Sequence, residues 1–150
     1  MKRHLLIALL GAMVASCSDA TSPTTEREMD SLGLIMTRQR WRAHNMHDYE
    51  FTLGYDCFCV ASRGLSVRVL RDTIYSVTDL TTGQAVPRTR GMTIEDLFDV
   101  IATGLKSDVP VEAWFDADLG YPRSIVYNRP GMAYDAGGSY GARDLHPSSS

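Results

Sequence analysis

Thr93-Ile94-Glu95-Asp96-Leu97-Phe98-Asp99-Val100-Ile101-Ala102-Thr103-Gly104-Leu105 is the stretch that decides the fold class of this chain. Ile94, Leu97, Phe98, Ile101 and Leu105 recur at i, i+3, i+4, i+7 and i+11, the stripe of an amphipathic helix. Thr93 opens the run and Asp96 stands three residues on, the spacing of a capping box with Asp in place of the longer Glu. Burying five such side chains stabilises by roughly 1.5–3 kcal/mol each before conformational entropy is subtracted. A stripe of that worth has to face a sheet, so the helix is core structure rather than a free membrane-binding amphipath.

On both sides of it the period changes from 3.6 to 2. Upstream, Tyr49, Phe51, Leu53 and Tyr55 alternate with polar or small residues, the pattern of a half-buried strand. Leu65, Val67 and Val69 form a second strand, and Ile74, Tyr75 and Val77 resume after Arg71-Asp72-Thr73, which reads as a hairpin. Asp79 to Arg90, with its threonines, Gly83 and Pro87, reads as a surface connection. Downstream, Val109, Val111, Ala113 and Phe115 alternate, Asp116 to Gly120 turns the chain, and Ser124 to Asn128 returns with Pro122 at the strand's entrance. Ser139 to Leu145 adds a final edge strand. The first element is a helix from Ser31 to His44, capped by Asp30 or Ser31 and carrying Leu34 and Trp41 on one side. The order is helix, three strands, helix, three strands. This predicts a single α+β domain, a mostly antiparallel sheet with two helices on one face. Each half reads as a helix plus an antiparallel meander, without the residue identity that would establish a repeat.

The N-terminus adds an address. Lys2, Arg3 and His4 precede the apolar run Leu5 to Val14, and Ala15-Ser16-Cys17 closes it, as in a secretory signal. The run is too short to span a bilayer, which needs about 20 apolar residues. The pattern resembles the lipobox of bacterial lipoproteins, in which the last cysteine is diacylated and the segment before it removed. An ordinary signal peptide with an incidental cysteine is the plainer alternative. Residues 1–16 are accordingly expected as signal peptide, 17–30 as lipidated Cys17 with a flexible tether, 31–145 as the folded domain and 146–150 as a disordered tail. Multiple acyl chains on one residue anchor stably where one does not. Ser18 rather than Asp follows Cys17, and in the Gram-negative lipoproteins this resembles, that points to the periplasmic face of the outer membrane.

Loss of Lys2 and Arg3 leaves 13 Lys and Arg against 18 Asp and Glu, moving the net charge from −3 to −5. A mildly acidic chain with no basic run lacks what phosphate neutralisation requires, so nucleic acid is excluded as a partner. Arg38, Arg40 and Arg42 sit on one helix and read as a solvated face. The folded stretch of about 115 residues is one domain's worth, enough to bury roughly two-thirds of the unfolded surface.

Trp41, Tyr49-x-Phe51, Cys57-x-Cys59, Val67-x-Val69, Thr93-Ile94-x-x-Leu97-Phe98 and Phe115-Asp116-x-x-x-Gly120-Tyr121-Pro122-x-x-Ile125 together resemble the DUF6174 family over Trp41 to Leu145. The resemblance implies a bacterial exported protein, often a lipoprotein, and no activity. Where the family usually carries an Asp-Gly turn in its second hairpin, this chain has Arg71-Asp72-Thr73.

Among residues able to carry chemistry, Cys57 and Cys59 stand out, since outside the cytoplasm two close thiols oxidise or hold a metal. In a regular strand their Cα atoms would lie about 6.4–6.8 Å apart, at the far edge of disulfide geometry, so a bond needs the chain to bend. Such a small ring adds only about 1.6 kcal/mol in the chain-entropy model. With Cys17 consumed by lipid the two have only each other as intramolecular partner, which favours a disulfide. Redox chemistry, metal handling and free thiols are the alternatives. A zinc site would recruit His44 and His47 beside the two sulfurs, at a tighter Cys spacing than zinc sites use. Asp116, Asp118 and Gly120 resemble a calcium loop only in part, lacking the third acid and closing Glu, and read as a hairpin turn. Neither Gly-x-Ser-x-Gly, His-Glu-x-x-His nor a Walker lysine occurs. No catalytic residue, metal ligand or cofactor is selected. The expectation is a non-enzymatic binding or interaction module, held to the membrane by acylated Cys17 and facing an envelope protein or glycan. Its contact surface would be the bare sheet face, with Tyr49 or Tyr55, Arg68 and Tyr127 as residents. The rival is an envelope redox or metal-handling protein acting through Cys57 and Cys59.

Overall fold

The computed structural model of the chain describes residues 23–56, 64–107, 110–127 and 138–148. The readings of Cys17, Cys57 and Cys59 therefore lie outside the described residues. The sequence stripe becomes helix α2, Ile94–Lys106, with Ile94, Leu97, Phe98 and Ile101 buried. Its capping box is complete: the Asp96 N–H donates to Thr93 Oγ1 at 3.1 Å, and the Thr93 N–H donates to Asp96 Oδ2 at 2.7 Å. The shorter Asp side chain suffices because Thr93 approaches it closely.

Helix α1 spans Pro23–Ala43. It begins eight residues before the expected Ser31, inside the stretch read as tether. Proline is suited to a first helical position, but that stretch has no apolar stripe to reveal a helix. Leu34 and Trp41 face the core as expected, and the Trp41 ring meets Tyr49 edge-on at 5.4 Å and Tyr121 at 6.4 Å. No helix among the described residues is long and apolar enough to cross a membrane.

Among the described residues, seven strands form one antiparallel sheet: β1 Tyr49–Asp56, β2 Leu65–Leu70, β3 Thr73–Asp79, β4 Ala85–Val86, β5 Val111–Phe115, β6 Pro122–Tyr127 and β7 Gly138–Pro147. The spatial order is β4-β3-β2-β1-β7-β6-β5. Three expectations are corrected. The Asp79–Arg90 connection contains the short strand β4, which pairs Val86 with Val77 and Ala85 with Thr78. The last strand is central rather than an edge: β7 pairs with β1 on one side and β6 on the other and joins the two meanders. It also continues past the expected end, because Tyr49 pairs with Pro147, Glu50 with His146, and the Ser148 N–H donates to Asp48 O at 3.1 Å. Of the residues read as tail, His146 and Pro147 pair with β1 and Ser148 bonds to Asp48, the residue before it.

The two halves are not copies of one unit. They occupy the sheet in the same order, β3-β2-β1 and then β7-β6-β5, yet run in opposite directions because β1 and β7 are antiparallel. A rotation that satisfied both facts would turn the sheet over and place the helices on opposite faces. Both helices instead share one core with Tyr49, Phe51, Leu53, Val67, Val77, Ile125 and Ala142.

The β2–β3 turn stays tight without glycine. Arg71 and Asp72 both take left-handed conformations, φ 50° and 60°, and Leu70 pairs with Thr73 across them. The α1–β1 loop holds them there. Arg71 N–H donates to Asp48 Oδ1 at 2.7 Å, Asp72 N–H to His47 O at 3.0 Å, and His47 Nδ1 meets Asp72 Oδ2 at 2.8 Å.

An arginine pair ties the helices together. Arg38 donates from Nε to Glu95 Oε2 at 2.7 Å, and Arg42 from Nε and Nη2 to the same carboxylate at 2.9 Å each. Arg38 also reaches Asp99 at 2.8 Å. Burial pushes the Glu95 carboxyl up, but hydrogen bonds from Arg42 and Arg38 outweigh it and hold the group below the ordinary range. A lowered folded value means that this contribution is present above the unfolded carboxyl value of about 4.3 and is lost as pH falls through the folded one. Glu95→Gln is therefore expected to flatten the acid limb of a stability–pH curve below that point. At neutral pH it should cost about 1 kcal/mol, less in high salt, because the pair is a third exposed. Urea titrations of both proteins at pH 3–7 measure it.

Candidate functional site

Tyr55, Tyr140 and Tyr127 stand on neighbouring strands β1, β7 and β6. Tyr55 pairs in register with Tyr140, and Tyr140 with Ile125. Alternation places Tyr55 on the face of Phe51 and Leu53, Tyr140 on that of Ala142, and Tyr127 on that of Ile125, all of them core residues. The row is thus the continuation of the core face past the cover of α2. Ring centroids lie 5.1 Å apart for Tyr55 and Tyr140, and 5.8 Å for Tyr127 and Tyr140, the latter stacked at 19°. Tyr127 also lies over Gly138, where an added Cβ would stand 2.9 Å from its Cζ. Tyr55 remains 44% exposed.

Beside this row runs a groove of about 580 Å³ along the flank of α2. Met92, Val100, Val111, Tyr127 and Tyr140 give it apolar walls, and Asp96, Asp99, Thr103 and Ser107 give it polar ones. The helix lies close to β5 because Gly104 has no side chain: a Cβ there would run into Val111. The two acids are already engaged, Asp96 in the capping box and Asp99 with Arg38. What the groove presents is ring faces, hydroxyls and an apolar floor.

The residues singled out in the sequence are dispersed. Tyr49 is buried at 2% exposure, not on the bare face. Its hydroxyl accepts the Ile94 N–H at 3.2 Å and so satisfies a donor at the start of α2; burial raises its phenol to about 12. Tyr49→Phe is expected to lose about 1–3 kcal/mol by stranding that buried N–H. Because the folded phenol value is raised, the hydroxyl's pH-linked contribution is full below about pH 10 and fades as pH climbs toward the folded value. The variant should show a flatter alkaline limb in chemical denaturation.

Tyr55 and Tyr127 belong to the helix-side row, so of the expected residents only Arg68 occupies the bare face. There Arg68 Nε donates to Ser148 Oγ at 2.8 Å, and its guanidinium lies 5.6 Å from the Tyr75 ring centroid. His44 and His47 turn to separate partners, the Asp118 carbonyl at 3.3 Å and Asp72 at 2.8 Å. Asp116 accepts the N–H groups of Asp118 and Leu119 at 3.1 and 2.9 Å, the geometry of a turn. Among the described residues no group of three or more His, Cys, Asp and Glu side chains converges as a metal site. Tyr140 and the α2 flank were not found from sequence, since Tyr140 lies in a glycine-rich run without alternation. The parity of Tyr55 with Phe51 and Leu53 was the available signal.

Fold and site define a class: a two-layer α+β domain on one seven-stranded antiparallel sheet, with a tyrosine-lined flank left open beside its second helix. Within that class the chain belongs to the DUF6174 family, a family of unknown function, whose model matches residues 33–147. The match ends with β7 and begins inside α1, eight residues ahead of the Trp41 that opens the resemblance. No curated protein and no solved structure matches the chain.

Proposed function

We propose that this protein is a binding module of the bacterial cell envelope, anchored through acylated Cys17 and engaging an envelope protein or glycan through the groove beside Tyr140. The observation that carries the reading is the row Tyr55–Tyr140–Tyr127, an aromatic surface continuous with the core and left uncovered at its outer end. Stacked phenols offer rigid faces for sugar rings or apolar side chains, with hydroxyls at the rim for orientation. The groove's volume falls in the range of ligand sites, roughly 300–1,000 Å³. The acyl anchor supplies the location and the domain supplies the contact.

A pull-down from native envelope with the full chain tests it, alongside Tyr140→Ala and a lipid-anchored control. The expected result is a protein or glycan enriched by the native chain and held about tenfold or more weakly by Tyr140→Ala, which must keep its circular dichroism melt. No enrichment over the control, or equal retention by the variant, sinks the reading.

A further inference from the structure

The two edges of the sheet are treated differently. At one, β3 is partly covered by β4, and Pro87 and the turn Arg88–Arg90 follow directly. At the other, β5 pairs only with β6 among the described residues. Natural edge strands are blunted by charge, proline, bulges or a covering element. β5 reads Val111-Glu112-Ala113-Trp114-Phe115, with apolar residues toward both faces and Glu112 as its one charge. Trp114 is 53% exposed.

A groove of about 670 Å³ runs between this edge and the helices, lined by Leu34, Thr37, Leu105, Val111 and Phe115. Leu32 and Met36, two residues to either side of the buried Leu34 on α1, stand 55% and 68% exposed. Of the seven exposed large apolar side chains among the described residues, three lie on α1 and one, Trp114, on β5.

We propose that this edge is a self-association surface, on which β5 pairs antiparallel with β5 of a second copy about Ala113. The strand is complementary to itself in that register. Glu112 faces Trp114 of the second copy, twice by symmetry, and Val111 faces Phe115, so no like charges oppose. The two-fold axis stands perpendicular to the sheet and keeps the helices of both copies on one side, with the α1 residues Gly33, Leu34 and Thr37 nearest the seam. Five residues of strand are too little for a stable interface, which needs about 1,000 Å² or more. The groove between the edge and the helices, with its apolar walls Leu34, Leu105, Val111 and Phe115, takes the remaining apolar contact. The association is independent of the groove beside Tyr140.

Sedimentation of the full chain in density-matched detergent tests the register by charge. The native chain is expected as a dimer. Trp114→Glu sets a carboxylate against Glu112 of the other copy and is expected to weaken dimerisation by roughly tenfold or more, whereas Trp114→Lys forms two opposite-charge pairs and keeps it. Glu112→Lys combined with Trp114→Glu restores the dimer and shows that the single variant was folded. A monomeric native chain overturns the proposal, as do dimers in all variants. Equal loss in Trp114→Glu and Trp114→Lys also overturns it, because an apolar patch meeting a bilayer or an unrelated protein responds to lost apolarity and not to the sign of charge.

Discussion

Phe98→Ala is expected to destabilise the domain by about 3–5 kcal/mol, the range for truncating a fully buried aromatic. Phe98 is 0% exposed and lies where the helices meet the β5 edge. Its ring stacks on Phe115 of β5 with centroids 6.1 Å apart, and the Arg38 guanidinium of α1 sits 5.7 Å from its centroid. Truncation removes contacts to both neighbours at once. It also takes away the apolar surface over which Arg38 is laid toward Glu95 and Asp99. Against a typical stability of about 5–15 kcal/mol, the loss would leave a marginal fold. In urea the midpoint should fall while the slope is kept, since the surface exposed on unfolding hardly changes. Phe98→Leu refills most of the space and should cost about 1–2 kcal/mol. A Phe98→Ala cost below about 1 kcal/mol would mean that α2 does not dock on β5 as described.

Gly120→Ala is the second large effect, about 2–3 kcal/mol, and has two separable sources. Gly120 has φ +78°, where an L-residue costs roughly 1–2 kcal/mol. Its missing side chain is also what lets the β5–β6 turn rest on α1. A Cβ there would stand 2.9 Å from the Thr37 carbonyl oxygen and 3.2 Å from Arg40 Cβ. The carbonyl belongs to the helix and cannot move aside cheaply. The same contact is tied by Arg40 Nη1 donating to Ala117 O at 3.1 Å. Gly83 has φ +69° with nothing within 4 Å of its hypothetical Cβ, so Gly83→Ala measures the conformational part alone. Thermal melts of the two variants should differ by the packing part. Equal costs would show that the turn does not bear on α1.

Much of the architecture was legible because burial forces periodicity. The stripe from Ile94 to Leu105 and the alternation Tyr49, Phe51 and Leu53 each had to bury one face, and both did, with Tyr55 left at the exposed end. The strand Ser139 to Leu145 was legible but its central place was not, because Gly138-Ser139-Tyr140-Gly141-Ala142 is held mainly by its neighbours' backbones. It pairs on both sides and contributes only Ala142 to the buried core, so composition carried little signal. Gly141 is required there for a different reason, since an added Cβ would run into the Arg123 carbonyl of β6. The site was half legible. Parity alone puts Tyr55 with Phe51, but its partnership with Tyr140 and Tyr127 depends on the register of a strand that sequence did not place in the middle.

Because β7 follows the other described strands in sequence and is central in the sheet, the order of synthesis matters. A chain emerging from its N-terminus can form the β1–β2–β3 meander and then β5–β6, but the two remain separate hairpin clusters until the final segment arrives between them. The contacts that unite them span up to about a hundred residues, from Tyr49 to Pro147, which makes closure slow in the sense that long-range pairing always is. Until then, one side of β1 and one side of β6 are open edges, exposed to proteases and to chaperones that bind extended segments. The sheet is thus not joined until the segment from Gly138 onward has been made, and a ribosome that stalls ahead of Gly138 leaves two separate strand clusters.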